Sequence, residues 1–481
     1  FDSNVAIGSN ALRYTHGDKN VGVGSDVGYE IRAGSEITAV GYYAAAISKA
    51  ATKKVAIGAY AGQYDASGSE STMVGWYAGR YATGSYNTFI GSQAGEGGTD
   101  SAPYSSGQNN TALGYKALRA NTTGYSNTAL GHQTLFLNTT GIKNEAIGWQ
   151  SMYTNTIGTL NTALGHQTLY YNTTGNYNVA IGSQALLANT IGQRNVAVGL
   201  SALKANTIGT WNTAIGKDCM VLNTTGNYNV GVGTNALNTN TIGQYNTGLG
   251  YYSLYSNTTS SYNVAVGAYA LRLNTTGISN TAVGYEALKA NITGKYNTAV
   301  GQESLETNTA DANVSVGFYS LRVNTTGTRN NALGYYSMNS NTIGQHNTAL
   351  GSYTLQANTT GSDNTAVGNY ALNLNTTGQY NVAVGKSALK ANTIGVSSTA
   401  LGYEALRYNT TGATNVAVGR GAMYTNTVGF DNIAVGVNAL IFNTTGYRNV
   451  AIGKDSLRTN IIGKENTAVG YNALYANTTA S

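Results

Sequence analysis

The residues of this sequence that could do chemistry are its histidines, its cysteine, one acidic loop, its sequon asparagines and its clustered aromatics. Four histidines occur, His16, His132, His166 and His346, and imidazole is the commonest side-chain metal ligand. Cys219 is the single cysteine, so neither an intrachain disulfide framework nor a cysteine metal site within one chain is available. Glu96 and Asp100 lie among glycines in the manner of a calcium loop, but the carboxylates lack the alternating ligand pattern such a loop needs. Asn121, Asn138, Asn172, Asn223 and Asn274 each begin an Asn-Thr-Thr triplet, which matches the N-glycosylation acceptor. Trp211, Tyr228, Tyr245 and Tyr262 follow one another at a spacing of 17, with Tyr177, Tyr296 and Tyr380 elsewhere at the same repeat position. Flat rings in such a column can stack on the sugar rings of a glycan or on each other.

That spacing belongs to the whole chain. From Gly114 to Gly470 a glycine recurs every 17 residues, with one step of 16 at Gly317. A fixed short period predicts a solenoid, in which each coil buries its apolar side by stacking on its neighbours. Across these 22 coils, the residue four before the glycine is Asn, except Ser398. The residue one before is Leu, Ile or Val, and the residue two before is Ala except at Gly231, Gly248 and Ser315. Four after the glycine stands Leu or Met, three after stands Ala, Ser, Thr or Cys, and seven after stands Asn in every coil.

Alternation of this kind is the strand signature. In Asn178–Gly182, Val179 and Ile181 share one face while Ala180 and Gly182 share the other. A second short strand carrying Ala185 and Leu186 is expected to follow, closed by an Asn-Thr-Ile-Gly or Asn-Thr-Thr-Gly turn. The large column (Leu130, Ile147, Leu164) is expected to fill the inside of the roll. The small column (Ala129, Ala146, Ala163, Ala180, Ala197) is read as a face that other copies of the chain approach, giving a homotrimer or similar bundle; a thin single roll with one small-walled side is the alternative. The asparagines seven after the glycine (Asn121, Asn138, Asn155, Asn172, Asn189) are expected to stack as amide ladders. That reading accounts for the sequons too, because the column stays Asn where the triplet fails, at Asn155 and Asn189.

The repeat also dissolves the metal chemistry. His132 and His166 occupy one column two coils apart, about 10 Å by strand spacing, too far for shared zinc ligation within a chain. Cys219 sits in the column three after the glycine, otherwise filled by Ala, Ser and Thr, and reads as a small buried residue. No catalytic constellation, metal site or cofactor site emerges, and the chain is read as a non-enzyme.

Residues 1–95 are a looser version of the repeat, with Gly8, Gly24, Gly41, Gly58, Gly75 and Gly91 stepping by 16 or 17 and with Ile37, Lys54 and Ser71 in the first asparagine column. Residues 96–109 hold an insertion with the only proline, Pro103, read as a block boundary or a surface excursion; residues 110–481 are the regular repeats. Counting both blocks gives 28 coils, a shaft of about 130 Å at the strand spacing of a sheet. Within Asn308–Asn313 the 16-residue step removes a turn residue. The chain starts at Phe1 and stops within a repeat at Ser481, as a piece of a longer protein would.

Charged residues make up only 10% of the 481, so the surface is expected to be Asn, Thr, Ser, Gln and Tyr, with 37 Tyr against 6 Phe. The net charge of +6 is spread thinly, which argues against nucleic-acid binding, and no apolar run is long enough to span a membrane.

The units Asn4-Val-Ala-Ile-Gly8, Asn178-Val-Ala-Ile-Gly182 and Asn449-Val-Ala-Ile-Gly453 resemble the head repeats of trimeric autotransporter adhesins. The resemblance implies a left-handed parallel β-roll, three chains to a head, on a bacterial surface. The Asn-Thr-Thr-Gly turn is longer and more uniform than that family's, and the full unit is similar to repeats of phage tail fibres. The expected fold is therefore an all-β parallel β-solenoid forming a homotrimeric rod. The expected function is the structural shaft of an extracellular fibre, on a cell surface or virion, projecting a tip toward a host receptor or surface glycan. A self-assembling extracellular filament, or a glycan-binding surface along Trp211, Tyr228, Tyr245 and Tyr262, are the alternatives.

Overall fold

One short strand per coil, and one left-handed turn opposite it, build the molecule. The structure is a computed structural model and describes residues 3–98 and 104–479. Among them are 28 strands and no helix. Nearly all strands are three residues long; Ser35–Val40 and Thr52–Ile57 have six. Within each of the molecule's two compact units, each strand pairs in parallel with the equivalent strand of the next coil. Thr162, Ala163 and Leu164 face Val179, Ala180 and Ile181, which face Val196, Ala197 and Val198. The parallel β-solenoid and its 17-residue period are thus as the columns predict. The residues form two compact units, Phe1–Gln244 and Tyr245–Ser481, each carrying fourteen of the strands.

The two faces of the strand are the reverse of the expectation. Ala129, Ala146, Ala180 and Ala197 are fully buried and Ala163 is 1% exposed within a single chain. Ile147 and Leu164 are 40% and 44% exposed, and Leu130 is half-buried. The alanine column therefore lines the interior and is not a chain–chain interface, and the large column points outward. Replacing Ala180 by Leu should cost about 2 kcal/mol, the usual penalty of overpacking, in denaturant titration. Its oligomeric state in light scattering should be that of the parent; a change there would return the column to an interface.

The cause of the reversal lies across the coil. The expected second strand is absent, and the segment with Ala185 and Leu186 is a turn. Gln184 and Leu186 adopt φ of 60° and 50°, so neighbouring side chains no longer alternate in and out, and Ala185 and Leu186 are both fully buried. A left-handed non-glycine residue costs about 1–2 kcal/mol, whereas burying a leucine contributes about 1.5–3 kcal/mol. Burial wins, helped by hydrogen bonds from Leu186 N to Ala202 O at 3.0 Å and from Ala188 N to Lys204 O at 2.9 Å. With Leu already inside from this wall, only a small residue fits opposite it on the strand.

Exceptions to the columns compensate one another. In the first block the strand position is large at Met73 and Phe89, and the opposite wall is glycine at Gly62, Gly79 and Gly95. A Cβ on Gly79 would lie 2.6 Å from Met73 Sδ, and one on Gly95 would lie 2.5 Å from the Phe89 ring. Gly231 leaves room in the same way for Cys219, whose Sγ would be 2.6 Å from a Cβ there. Volume is exchanged between walls and interior packing is kept.

The two irregularities in length leave the stack intact. The strands Thr88–Ile90 and Thr111–Leu113 pair in register on either side of the 96–109 insertion, so the stack continues past it. Its residues 99–103, including Asp100 and Pro103, lie outside the described residues. At the 16-residue step, Ala310 O accepts from Asn297 Nδ2 and Asn308 Nδ2, both at 2.8 Å, as a glycine carbonyl does in other coils.

Candidate functional site

Two internal asparagine ladders are the most regular chemistry in the molecule. In the column seven after the repeat glycine, Asn138 Nδ2 donates to Asn121 Oδ1 at 3.0 Å, and Asn155, Asn172 and Asn189 each donate to the one before at 2.8 Å. The same Nδ2 groups also donate to a carbonyl in their own turn, as Asn155 does to Gly158 O at 3.0 Å. In the other column, Asn144 Nδ2 donates to Gly158 O at 2.8 Å and Asn144 N donates to Asn127 Oδ1 at 3.0 Å. One glycine carbonyl thus receives both ladders and ties the strand corner to the turn corner. A side chain on that glycine cannot be accommodated, since a Cβ on Gly158 would lie 2.4 Å from Asn155 Oδ1. A third ladder runs along the threonine after each ladder asparagine, with Thr139 Oγ1 donating to Thr156 O at 3.0 Å.

These bonds consume the sequons. Asn138, Asn172, Asn223 and Asn274 are fully buried and Asn121 nearly so, and their amides are committed within the stack. The folded chain offers no accessible acceptor nitrogen at these five positions.

The aromatic column lies outside, on left-handed backbone, with φ of 59° at Trp211, 57° at Tyr228, 55° at Tyr245 and 63° at Tyr262. All four side chains are exposed. In the first unit Arg194 sits between two rings, 5.4 Å from the Tyr177 centroid and 4.6 Å from that of Trp211, and Trp211 stacks on Tyr228 at 6.3 Å. In the second unit Tyr245 and Tyr262 stack at 5.2 Å and 4°. Cation–π and ring stacking use the ring faces. Trp211 has both faces occupied, so it offers solvent chiefly an edge.

Three of the four histidines are parts of similar ladders. Trp149 lies between His132 and His166, with centroids 6.3 Å and 4.8 Å away, and Tyr115 caps His132 at 5.2 Å. His346 lies between Arg329 and Asp363, its Nε2 3.3 Å from Arg329 Nη1 and its Nδ1 3.6 Å from Asp363 Oδ1. Among the described residues no three His, Cys, Asp or Glu side chains converge as metal ligands would.

Cys219 is fully buried, and burial pushes its thiol up to about 12. The thiolate is the reactive form, so Cys219 should resist a thiol-specific disulfide reagent in the folded protein and react once denaturant is added. Rapid reaction without denaturant would contradict its placement inside the coil.

One pair escapes a reading by columns. Lys54 stands in the first asparagine column and Asp65 in the second, in the same coil, and both are fully buried. Lys54 is visible in the sequence as a break in its column; Asp65 becomes visible only when the second column is extended into the irregular block.

Among the described residues no helix is long and apolar enough to cross a membrane. No family model matches the chain, and no curated protein matches it.

Proposed function

We propose that this chain is a structural shaft of an extracellular fibre, an adhesin or tail fibre that holds a binding tip away from its anchor. The observation that carries the reading is the coil-to-coil bonding. Within each unit the regular coils are joined by their strands, by two asparagine ladders and by a threonine ladder, in one repeated register. Such a stack resists bending and adds length without altering its section, which is what a shaft requires. Left-handed coiling and a homotrimer are the finer parts of this proposal. In a trimer the outward column of Leu113, Ile147 and Leu164 would be the apolar surface to bury, since the alanines are inside.

Electron microscopy of the purified chain tests the proposal. A shaft gives thin, unbranched particles of one length near the roughly 130 Å that 28 coils imply. Open-ended polymers would favour the filament, and round particles would sink both. Light scattering decides the trimer, which fails on a stable mass of one chain. The glycan-binding alternative needs ring faces that Trp211 already shares with Arg194 and Tyr228. It would regain ground if a glycan array detected binding that Trp211→Ala abolishes.

A further inference from the structure

We propose that Lys54 and Asp65 join through an intramolecular amide between Lys54 Nζ and Asp65 Cγ, a self-formed cross-link closing one coil of the first unit. The two side chains have no exposed surface, and Nζ lies 2.8 Å from Oδ2. Oδ2 thus lies directly against the ammonium inside the coil. Nζ is otherwise held by Ser48 Oγ and Asp65 O, both at 3.1 Å, and Asp65 Oδ1 accepts from Gly68 N at 2.7 Å. The nucleophile, the carboxyl group and a donor for the developing oxyanion are therefore assembled in a closed interior.

The interior supplies the driving force. A buried ion pair loses several kcal/mol of hydration per ion, which its own attraction need not restore. Burial pushes the Asp65 carboxyl above the usual carboxylate range, against the opposing pull of Lys54. Passage of a proton from Nζ to Oδ2 gives amine and carboxylic acid. Nζ then attacks Cγ, forming the N–C bond, while Gly68 N–H holds the negative charge on Oδ1. A second proton passes from Nζ to Oδ2, the Cγ–Oδ2 bond breaks, and Oδ2 leaves as water. No oxidant or other reactant is consumed. The product also fits its surroundings chemically: Asp65 becomes an N-substituted asparagine in the asparagine column, and two buried charges become one amide of the kind that fills both columns elsewhere. Gly68 has the close approach this needs, because a Cβ there would lie 2.4 Å from Asp65 Oδ1.

Mass spectrometry of the full chain, unfolded after purification, tests the proposal. Loss of one water leaves the chain about 18 Da below its sequence mass. Trypsin should then fail to cut after Lys54 and release residues 54–80 as one peptide carrying that deficit. Lys54→Arg and Asp65→Ala should each restore the full mass. Full mass and normal cleavage after Lys54 in the unsubstituted folded chain would overturn the cross-link, as would a deficit that maps to another peptide. The unsubstituted chain decides the question even if neither variant folds.

Discussion

Replacing Gly148 by alanine should lower stability by about 3 kcal/mol, the upper end of the range for strained backbone. Two causes add. Gly148 has φ of +126°, a region L side chains rarely adopt, and a Cβ there would lie 2.3 Å from Gly165 O. Gly165 O cannot easily retreat, because Gly165 N donates to Ile147 O at 2.8 Å and Gly165 O itself accepts from Thr168 Oγ1 at 3.2 Å. Thr140→Ala, on the exposed side of the turn, is the control and should change stability by less than about 0.5 kcal/mol. Denaturant titration of the two variants reads the difference. A loss below about 1 kcal/mol at Gly148 would mean that stacked coils are not held at van der Waals limits along this column.

The second large effect is expected from Asn155→Asp, a change of one atom type in a ladder. Asn155 Nδ2 donates to Asn138 Oδ1 and Gly158 O, while Asn155 Oδ1 accepts from Asn172 Nδ2. A carboxylate can keep only the last of these bonds, and it turns an acceptor toward two other acceptors. Unmet buried groups cost about 1–3 kcal/mol each, more when charged, so a loss of about 3 kcal/mol or more is expected near neutral pH. The pH dependence follows from burial, which raises the folded-state pKa of the new acid above its unfolded value. Stability is then fullest below the unfolded pKa and is lost as pH rises through the folded one. Denaturation curves at several pH values should show the variant closing part of its gap to the parent in acid, whereas Asn155→Ala should keep a constant gap. Equal behaviour of the two variants would show that residue 155 is hydrated in the folded state.

Much of this architecture is legible in the columns. The period, the strand after each strand-corner asparagine and the asparagine ladders follow from residue types alone, since alternation and invariant Asn have few other physical uses. The inside and the outside are not legible in the same way. Size suggests that Leu164 faces in and Ala163 out; the reverse holds because Leu169, on left-handed backbone with φ of 47°, fills the interior from the opposite wall. Backbone of that hand in a non-glycine residue carries no compositional mark. A signal did exist in the exchange of Met73 with Gly62 and Gly79, which places the strand position and the turn position in contact. The aromatic column is legible as a column, but Arg194 between Tyr177 and Trp211 shows that it is a stack of mixed rings and cations.

The direction of the asparagine bonds has an electrical consequence. In the regular repeats of the first unit, and likewise in the second, the ladder bonds run one way, Nδ2 reaching back to the Oδ1 of the preceding coil, as Asn138 does to Asn121 and Asn144 to Asn127, and as Asn291 does to Asn274 and Asn364 to Asn347. Amide dipoles aligned in this way sum and polarise one another, as peptide dipoles do along a helix. Each run of regular coils is therefore a small electret, with amide N–H groups directed toward the preceding coil and carbonyl oxygens toward the following one. Coils added to such a stack extend its polarisation only when they arrive head to tail.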